Sequence, residues 1–289
     1  MLEKYPKVTV VTPSFNQGDY LEHTITSILD QGYPNLEYII IDGGSTDNSV
    51  EIIKKYEHLL TYWVSEPDKG LYYALQKGFE KSSGEIMCWI NSDDMHHRKS
   101  LLTIATLFKD FPAVNWIMGK NSFYDEQGKE FVFDTNVYNE RWSKWKVYDK
   151  DGQFIQQESV FWRRSLWERS GAYIDTSLSL AGDAELWLRF FRYEKLYSTE
   201  FLLSGFRFRR ENQKSKDHRE EYLAEFYAAI ERELDQGNAR WYFRFVRFMK
   251  VATRLIPVRK WKYSILMKVM AIPPKIIYNA DGTYRFKRG

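Results

Sequence analysis

Four apolar runs, each followed by a helical pattern, constrain this chain more than any other feature. Val8 to Thr12 is entirely β-branched and is closed by Pro13. After a turn rich in helix breakers, Tyr20, Leu21, Ile25, Ile28 and Leu29 recur at helical spacing. Leu36 to Ile41 repeats the strand signal and leads through Asp42, Gly43, Gly44, Ser45 and Thr46 to a helix carrying Val50, Ile52, Ile53 and Tyr56. Ser45 or Thr46 is placed to cap that helix, with Asp47 in its positive first turn. Leu60 to Val64 forms a third unit with the helical stretch Leu71 to Lys81, and Ile86 to Ile90 a fourth with Leu101, Ile104, Ala105 and Phe108. Such alternation predicts an α/β fold with a right-handed, mainly parallel sheet flanked by helices.

In open sheets of this kind ligands bind beyond the carboxyl ends of the strands, so the residues that end each run matter most. The fourth run stops abruptly at Asn91, Ser92, Asp93 and Asp94. Adjacent carboxylates repel, and a hard divalent cation shared with phosphate oxygens relieves them. The plainer alternative is an acidic loop in which Asp94 caps the next helix. The glycines at 43 and 44 do not form GxGxxG, and no GxxxxGK[ST] is present, so the dinucleotide and P-loop fingerprints are both missing.

Beyond a fifth strand at Val114 to Met118 the pattern changes. Asn121 to Gln153 reads as hairpin and loop with a turn at Glu126, Gln127 and Gly128; Gln156 to Arg164 reads as a strand invaded by polar residues. A short helix, Ser165 to Ser170, precedes AGDAELWLRFF, where Leu186, Trp187 and Phe190 share a helical face and Asp183 stands at the amino end, a position that also suits an N-cap.

The 289 residues are enough for one large domain, or one domain with an appendage. An aromatic content of 17% suits surfaces that handle sugar rings, bases or lipid interfaces. Cys88, the sole cysteine, lies in the fourth strand run and reads as a buried thiol, which fits a reducing compartment. No secretory leader opens the sequence and no apolar stretch is long enough to span a bilayer, so a cytoplasmic location is expected.

Taken in order, VVTPSFNQGDYLEHTITSILDQ, IIIDGGSTDNSVEII, SEPDKGLYYALQKGF, INSDD, and QQESVFWRR followed by GDAELWLR resemble the family-2 inverting glycosyltransferases of the GT-A fold, of bacterial surface-polysaccharide type. The resemblance covers about residues 7–215. It implies a catalytic domain over 1–215, with a nucleotide-sugar-binding half at 1–120 and an acceptor half at 121–215, and leaves 216–289 as a helical C-terminal extension. It further implies that Asp42 accepts a hydrogen bond from the base, typically uracil, and that Pro13, Ser14 and Phe15 line the base pocket. Asp93 would hold the ribose or the metal, and Asp94 would bind Mg²⁺ or Mn²⁺ on the diphosphate. Asn91 stands where the first aspartate of a DxD triplet is common. Lys69 and Arg210 are candidates for neutralising the diphosphate. Two departures concern the donor side: Tyr73 and Gln76 replace the Asp and Asn of a commoner YDAxNKG pattern.

A sugar hydroxyl is a poor nucleophile at neutral pH, and a carboxylate must take its proton as it attacks the anomeric carbon. Asp183 aligns with the family's basic aspartate, although Gly182 replaces the usual preceding Glu. Glu185 is a reserve that should point elsewhere on the helix. Gln156, Gln157 and Trp162 are candidate acceptor contacts. Two competing functions are a sugar-nucleotide pyrophosphorylase, against which stands the lack of a Gly-rich basic loop after the first strand, and a catalytically inactive membrane scaffold.

Net charge is only +3, yet from Arg240 to Gly289 thirteen Lys or Arg face one acid, Asp281. Arg240, Arg244, Arg247 and Arg254 recur beside Trp241, Phe245, Phe248, Ala252 and Leu255. Residues 240–263 therefore read as a helix lying on an anionic membrane surface, which would place the protein on the inner face of the membrane next to a glycan or lipid-linked acceptor. The alternative is a helix whose aromatic face packs on the catalytic domain. Nucleic acid is not indicated, since no motif accompanies the basic residues.

Overall fold

The computed structural model of the chain describes residues 5–131, 141–148, 155–209 and 217–287. The apolar runs become β1 (Val8–Ser14), β2 (Leu36–Asp42), β3 (Tyr62–Ser65) and β4 (Ile86–Trp89), which pair in parallel in the order β4-β1-β2-β3. Every residue of β1 is buried, as required of a strand covered on both faces. The covering helices are α1 (Gly18–Leu29), α2 (Ser49–Tyr56), α3 (Leu71–Glu80) and α4 (Ser100–Asp110). Helix α3 lies so close to β1 that a Cβ on Gly78 would stand 2.5 Å from Val11 Cγ1, so only glycine fits there.

The second half of the sheet is mixed. β8 (Val160–Arg163) inserts antiparallel between β4 and β6 (Trp116–Tyr124), while β9 (Tyr197–Arg207) runs parallel to β6. The parallel pairing expected from the sequence thus holds through the first four strands and returns between β6 and β9, with β8 as the antiparallel insertion. Strand β6 continues into the stretch read as loop and turns back at Gly128 to pair with β7 (Glu130–Phe131). The two-residue β5 (Met95–His96) pairs with β9 directly after Asp94 and fastens that loop to the sheet.

Most of the aromatic excess is internal. Trp89, Trp162, Trp187, Phe79 and Phe190 form one cluster, with Trp89 and Trp187 stacked at 5.5 Å and 11°. Trp162 is fully buried within it. This corrects its assignment as an acceptor contact: its indole fills the space between α3, β4 and α7 (Gly182–Tyr193), out of reach of any ligand.

Among the described residues three helices follow β9: α8 (Arg219–Leu234), α9 (Ala239–Ala252) and α10 (Arg259–Val269). Two further strands, β10 (Lys275–Tyr278) and β11 (Tyr284–Lys287), then return to the sheet, β10 lying parallel to β9 with Ile276 opposite Thr199. The C-terminal extension is therefore helical for most of its length but ends as the edge of the catalytic sheet. Among the described residues no helix is long and apolar enough to cross a membrane.

Candidate active site

Chemistry-bearing residues gather where β1, β2, β4 and β9 end. At the tip of β2, Asp42 is fully buried. Its Oδ2 accepts hydrogen bonds from the Gly44 and Ser45 amides and the Ser65 hydroxyl, and its Oδ1 accepts one from Ser45 Oγ at 2.6 Å. Ser45 is thus consumed by Asp42 rather than capping α2, whose N-cap is Asn48. Ser14 pairs with Asp42 across β1 and β2, its hydroxyl buried without a partner, while Phe15 projects into solvent.

At the tip of β4 the charges are less well matched. Asp94 is buried, its Oδ1 accepting from the Arg207 amide at 2.9 Å and its Oδ2 from Asn91 Nδ2 at 3.3 Å. Asp93 Oδ2 lies 3.0 Å from Arg209 Nε, and the Asp93 carbonyl accepts from Arg207 Nε at 2.6 Å. Arg207 and Arg209 alternate along the end of β9 and were not singled out from the sequence, although an R-x-R at a strand tip presents both side chains to one loop through the two-residue period. Arg210 and its neighbours to 216 lie outside the described residues. Lys69 is exposed, its ammonium 5.5 Å from the Tyr73 ring centre.

The third part comes from the far side of the cluster. Gln157 Nε2 donates to the Trp89 carbonyl at 2.6 Å, which sets the short turn Gln157–Ser159 against the end of β4, and Glu158 in that turn feels the charges of both Asp93 and Asp183. Gln157 therefore binds the sheet, whereas Gln156 keeps a buried Oε1 without a partner. Asp183 lies in the first turn of α7, one residue inside the helix whose N-cap position, Ala181, carries no capping side chain. Three consecutive amides ahead of it, Ser179, Leu180 and Ala181, donate to the Glu225 carboxylate of α8 at 2.8–3.0 Å and hold the helix entry. Gly182 replaces the family's Glu because Tyr72 occupies its side: a Cβ there would stand 2.8 Å from the Tyr72 ring. Glu185 points away, as expected, and is consumed by Arg189 at 2.8 Å.

Among the described residues, Asn91 Oδ1, Gln156 Oε1, Glu158 Oε1 and Asp183 Oδ1 join the Ser14 hydroxyl as buried polar atoms of this region without a hydrogen-bond partner. Buried polar atoms seldom lack a partner, and those gathered here have hydrogen-bonding capacity to offer a ligand. Titration follows the same logic. Burial pushes Asp94 well above the ordinary carboxylate range, with Asp93 and Glu158 adding repulsion. Burial also raises Asp93 against the opposing pull of Arg209 and Arg207. Glu158 is raised to about 8 by burial, then by Asp183 and Asp93. Asp183 is raised to about 6 by burial, with Glu225 contributing. These mutual effects bring Asp93, Asp94, Glu158 and Asp183 into one electrostatic cluster; Asp42 stands apart, two strands or about 10 Å along the sheet.

Among the described residues no three His, Cys, Asp or Glu side chains converge closely enough to hold a metal ion by themselves. The donor set nevertheless fits a hard cation completed by phosphate and water, because it offers two carboxylates and the partnerless Asn91 Oδ1. Cavities of about 410 and 560 Å³ lie elsewhere, the first at the opposite end of α7 from Asp183.

The model of glycosyl transferase family 2 matches residues 9–164, more than half of the chain. The chain belongs to glycosyltransferase family 2. An uncharacterized glycosyltransferase of Mycobacterium tuberculosis is 30% identical over 190 residues, 64% of this chain and 68% of the relative. A putative teichuronic acid biosynthesis glycosyltransferase of Bacillus subtilis, TuaG, is 36% identical over 99 residues, covering 33% of this chain and 39% of that protein. Among solved structures, S. aureus TarS 1-349 in complex with UDP-GlcNAc superposes with a TM-score of 0.65 at 15% identity, over 91% of this chain and 79% of TarS. A mannosyltransferase of Pyrobaculum calidifontis in complex with GDP-Man and Mn²⁺ gives 0.57 at 17% identity, over 92% and 85% of the two chains. The fold is GT-A, and this family-2 chain is a glycosyltransferase.

Proposed function

We propose that this glycosyltransferase moves a sugar from a UDP-sugar to a hydroxyl of a glycan acceptor in cell-surface polysaccharide synthesis, by direct displacement with inversion. The observation that carries the reading is Asp183: a carboxylate with a buried, partnerless oxygen, raised to about 6, whose charge acts on Glu158 together with that of Asp93. A group titrating there is ionised at neutral pH yet remains a competent proton acceptor.

The donor lies across the strand tips. Uracil sits against Ser14 and Phe15 with its imide N–H directed to Asp42 Oδ1, the oxygen that has one donor where Oδ2 has three. The ribose and diphosphate extend past β1 to Asn91, Asp93 and Asp94. A bound Mg²⁺ or Mn²⁺, held by Asp94 and Asp93, would neutralise charge on the leaving diphosphate. Arg209, Lys69 and Arg210 supply further positive charge, Arg209 exchanging its present contact with Asp93 for a phosphate oxygen. The acceptor is positioned by Gln156, and its hydroxyl hydrogen passes to Asp183 Oδ1 as its oxygen bonds to the anomeric carbon. The bond from that carbon to the diphosphate oxygen breaks, and its electron pair leaves with the nucleotide. An α-linked donor gives a β-linked product. In this reading the acceptor is lipid-linked, and the enzyme works on the inner face of the membrane.

A thermal-shift panel of nucleotide sugars with Mn²⁺, followed by hydrolysis of the best binder, tests the reading. A UDP-sugar should stabilise the protein and be hydrolysed slowly, and Asp94→Ala should abolish that hydrolysis. No response to any UDP-sugar, or hydrolysis indifferent to Asp94, would overturn it.

A further inference from the structure

Helix α9 has two faces, and the protein uses only one of them. Inward, Val246 is fully buried, the Tyr242 ring lies 4.6 Å from that of Trp145 at a tilt of 42° and its hydroxyl donates to the Val269 carbonyl at 2.7 Å, and Phe243 meets Tyr148. Outward, Trp241, Phe245 and Phe248 follow one another at i, i+4 and i+7, and the stripe runs on to Leu255 in the turn beyond the helix. Trp241 is 69% exposed, Phe248 66% and Leu255 88%, with Trp261 of α10 at 65%. The Trp241 and Phe245 rings lie 5° from parallel and present a flat apolar surface.

A row of large apolar side chains facing water is costly, and on a folded protein it marks a contact surface. Its border identifies the partner. Arg244 and Arg247 are exposed along one edge of the stripe, and among the described residues neither meets an acidic side chain. From Asn238 to Ala280 the chain contains no Asp or Glu. A second copy of this face would bring like charges together, whereas a sheet of anionic headgroups above a hydrocarbon layer complements both the stripe and its edge.

We infer that α9 and the start of α10 form a rigid docking face for an anionic lipid bilayer, with Trp241, Phe248, Leu255 and Trp261 entering the headgroup boundary and Arg244 and Arg247 meeting phosphate. The inference deepens the proposed lipid-linked acceptor and rests on that reading for its purpose, but its support is the surface itself. The face is not a tether. Arg240 joins it to Glu231 and Asp235, the inner face is packed, and after α10 the chain re-enters the sheet beside β9, the strand that ends in Arg207 next to Asp93 and Asp94. Docking therefore fixes the orientation of the active site to the bilayer.

Sedimentation with phosphatidylglycerol–phosphatidylcholine vesicles, and with phosphatidylcholine alone, tests this on the full chain. The wild type should partition at least about tenfold more strongly onto the anionic vesicles. The triple change Trp241→Glu, Phe248→Glu and Leu255→Glu should abolish partitioning and leave hydrolysis of a UDP-sugar in solution within about twofold of wild type. Because the outer face could still influence folding, the exposed pair Arg244→Gln and Arg247→Gln serves as the second variant: its binding should weaken and lose salt dependence. Equal partitioning onto neutral vesicles, unchanged binding by the triple variant, or a concentration-dependent dimer that the triple change dissociates in the absence of any vesicle binding would each overturn the inference. Vesicle results leave the transfer chemistry untouched, and loss of hydrolysis leaves the docking face untouched, so the two proposals fail separately.

Discussion

Asp42, the last residue of β2, and Asp93 and Asp94, in the loop that follows β4, all lie at the carboxyl end of a buried parallel strand, and they behave in opposite ways. Asp42 is surrounded by donors, with two amides and two hydroxyls closing on its carboxylate. Asp93 and Asp94 are instead crowded by other carboxylates, and Arg209 and Arg207 compensate them only in part. The same contrast recurs within α7, where Glu185 is neutralised by Arg189 two residues after Asp183, whose Oδ1 is buried without a partner. Compensation separates the two kinds of carboxylate: Asp42 is enclosed by donors and keeps one acceptor position on Oδ1, whereas the buried Asp93, Asp94, Glu158 and Asp183 raise one another and are incompletely offset.

The sharpest way to break this division is to remove the incompletely offset base. Asp183→Asn should lower turnover by about a thousandfold, within the range general-base catalysis supplies, while donor affinity by calorimetry stays within about threefold. Equal losses in turnover and in donor affinity would show that Asp183 belongs with the structural carboxylates. Wild-type kcat/KM should rise with pH through about 6, as Asp183 loses its proton, and this limb should vanish in the variant. Next in size is the compensated carboxylate. Asp42→Ala orphans two backbone amides and two hydroxyls at once, and should cost roughly 3 kcal/mol in urea unfolding. Asp94→Asn should cost nothing in the same assay, since it relieves repulsion from Asp93 and Glu158. If both variants lose stability equally, the contrast between the two strand tips fails.

Much of this was readable from sequence because the strands advertise themselves. Val8 to Thr12 is β-branched throughout and Leu36 to Ile41 is apolar but for Glu37, as suits strands of a sheet covered on both faces, and the residues that end them follow directly. Asp93, Asp94 and Asp183, which the structure brings into one electrostatic cluster, stand out in the sequence because each lies where a periodic pattern begins or stops. Glu158 and Arg207 were missed because their surroundings come from elsewhere in the chain. Glu158 reads as a polar intrusion into QQESVFWRR until Gln157 is seen bonding the Trp89 carbonyl, and Arg207 looks like one basic residue among several until β9 lies beside the Asp94 loop. Trp162 failed for the opposite reason: aromatic residues near a sugar site suggest stacking, but this one is consumed by a core of tryptophans contributed by β4, β8 and α7. The direction of β8 was equally hidden, since an apolar run has no polarity that tells parallel from antiparallel insertion.

The smallest expected effect concerns Glu158 and is the most direct measure of incomplete compensation. Its carboxyl is raised from 4.5 to about 8, so between those values the folded protein holds a proton that the unfolded chain has released. Stability therefore falls as pH rises through this window, the reverse of a salt-bridged carboxylate. Asp183 and Asp94 act with the same sign. Glu158→Gln keeps the shape of the neutral form and removes its titration. At pH 5 the variant should match wild type; at pH 8 it should be more stable, on the order of 2 kcal/mol, with a shallower decline because only the aspartates remain. Adding Mn²⁺ with UDP to the wild type should flatten the same decline by supplying the missing positive charge. Parallel stability curves for the two proteins from pH 5 to pH 8 would mean that Glu158 is already compensated, and the division between compensated and incompletely offset carboxylates would have to be redrawn without it.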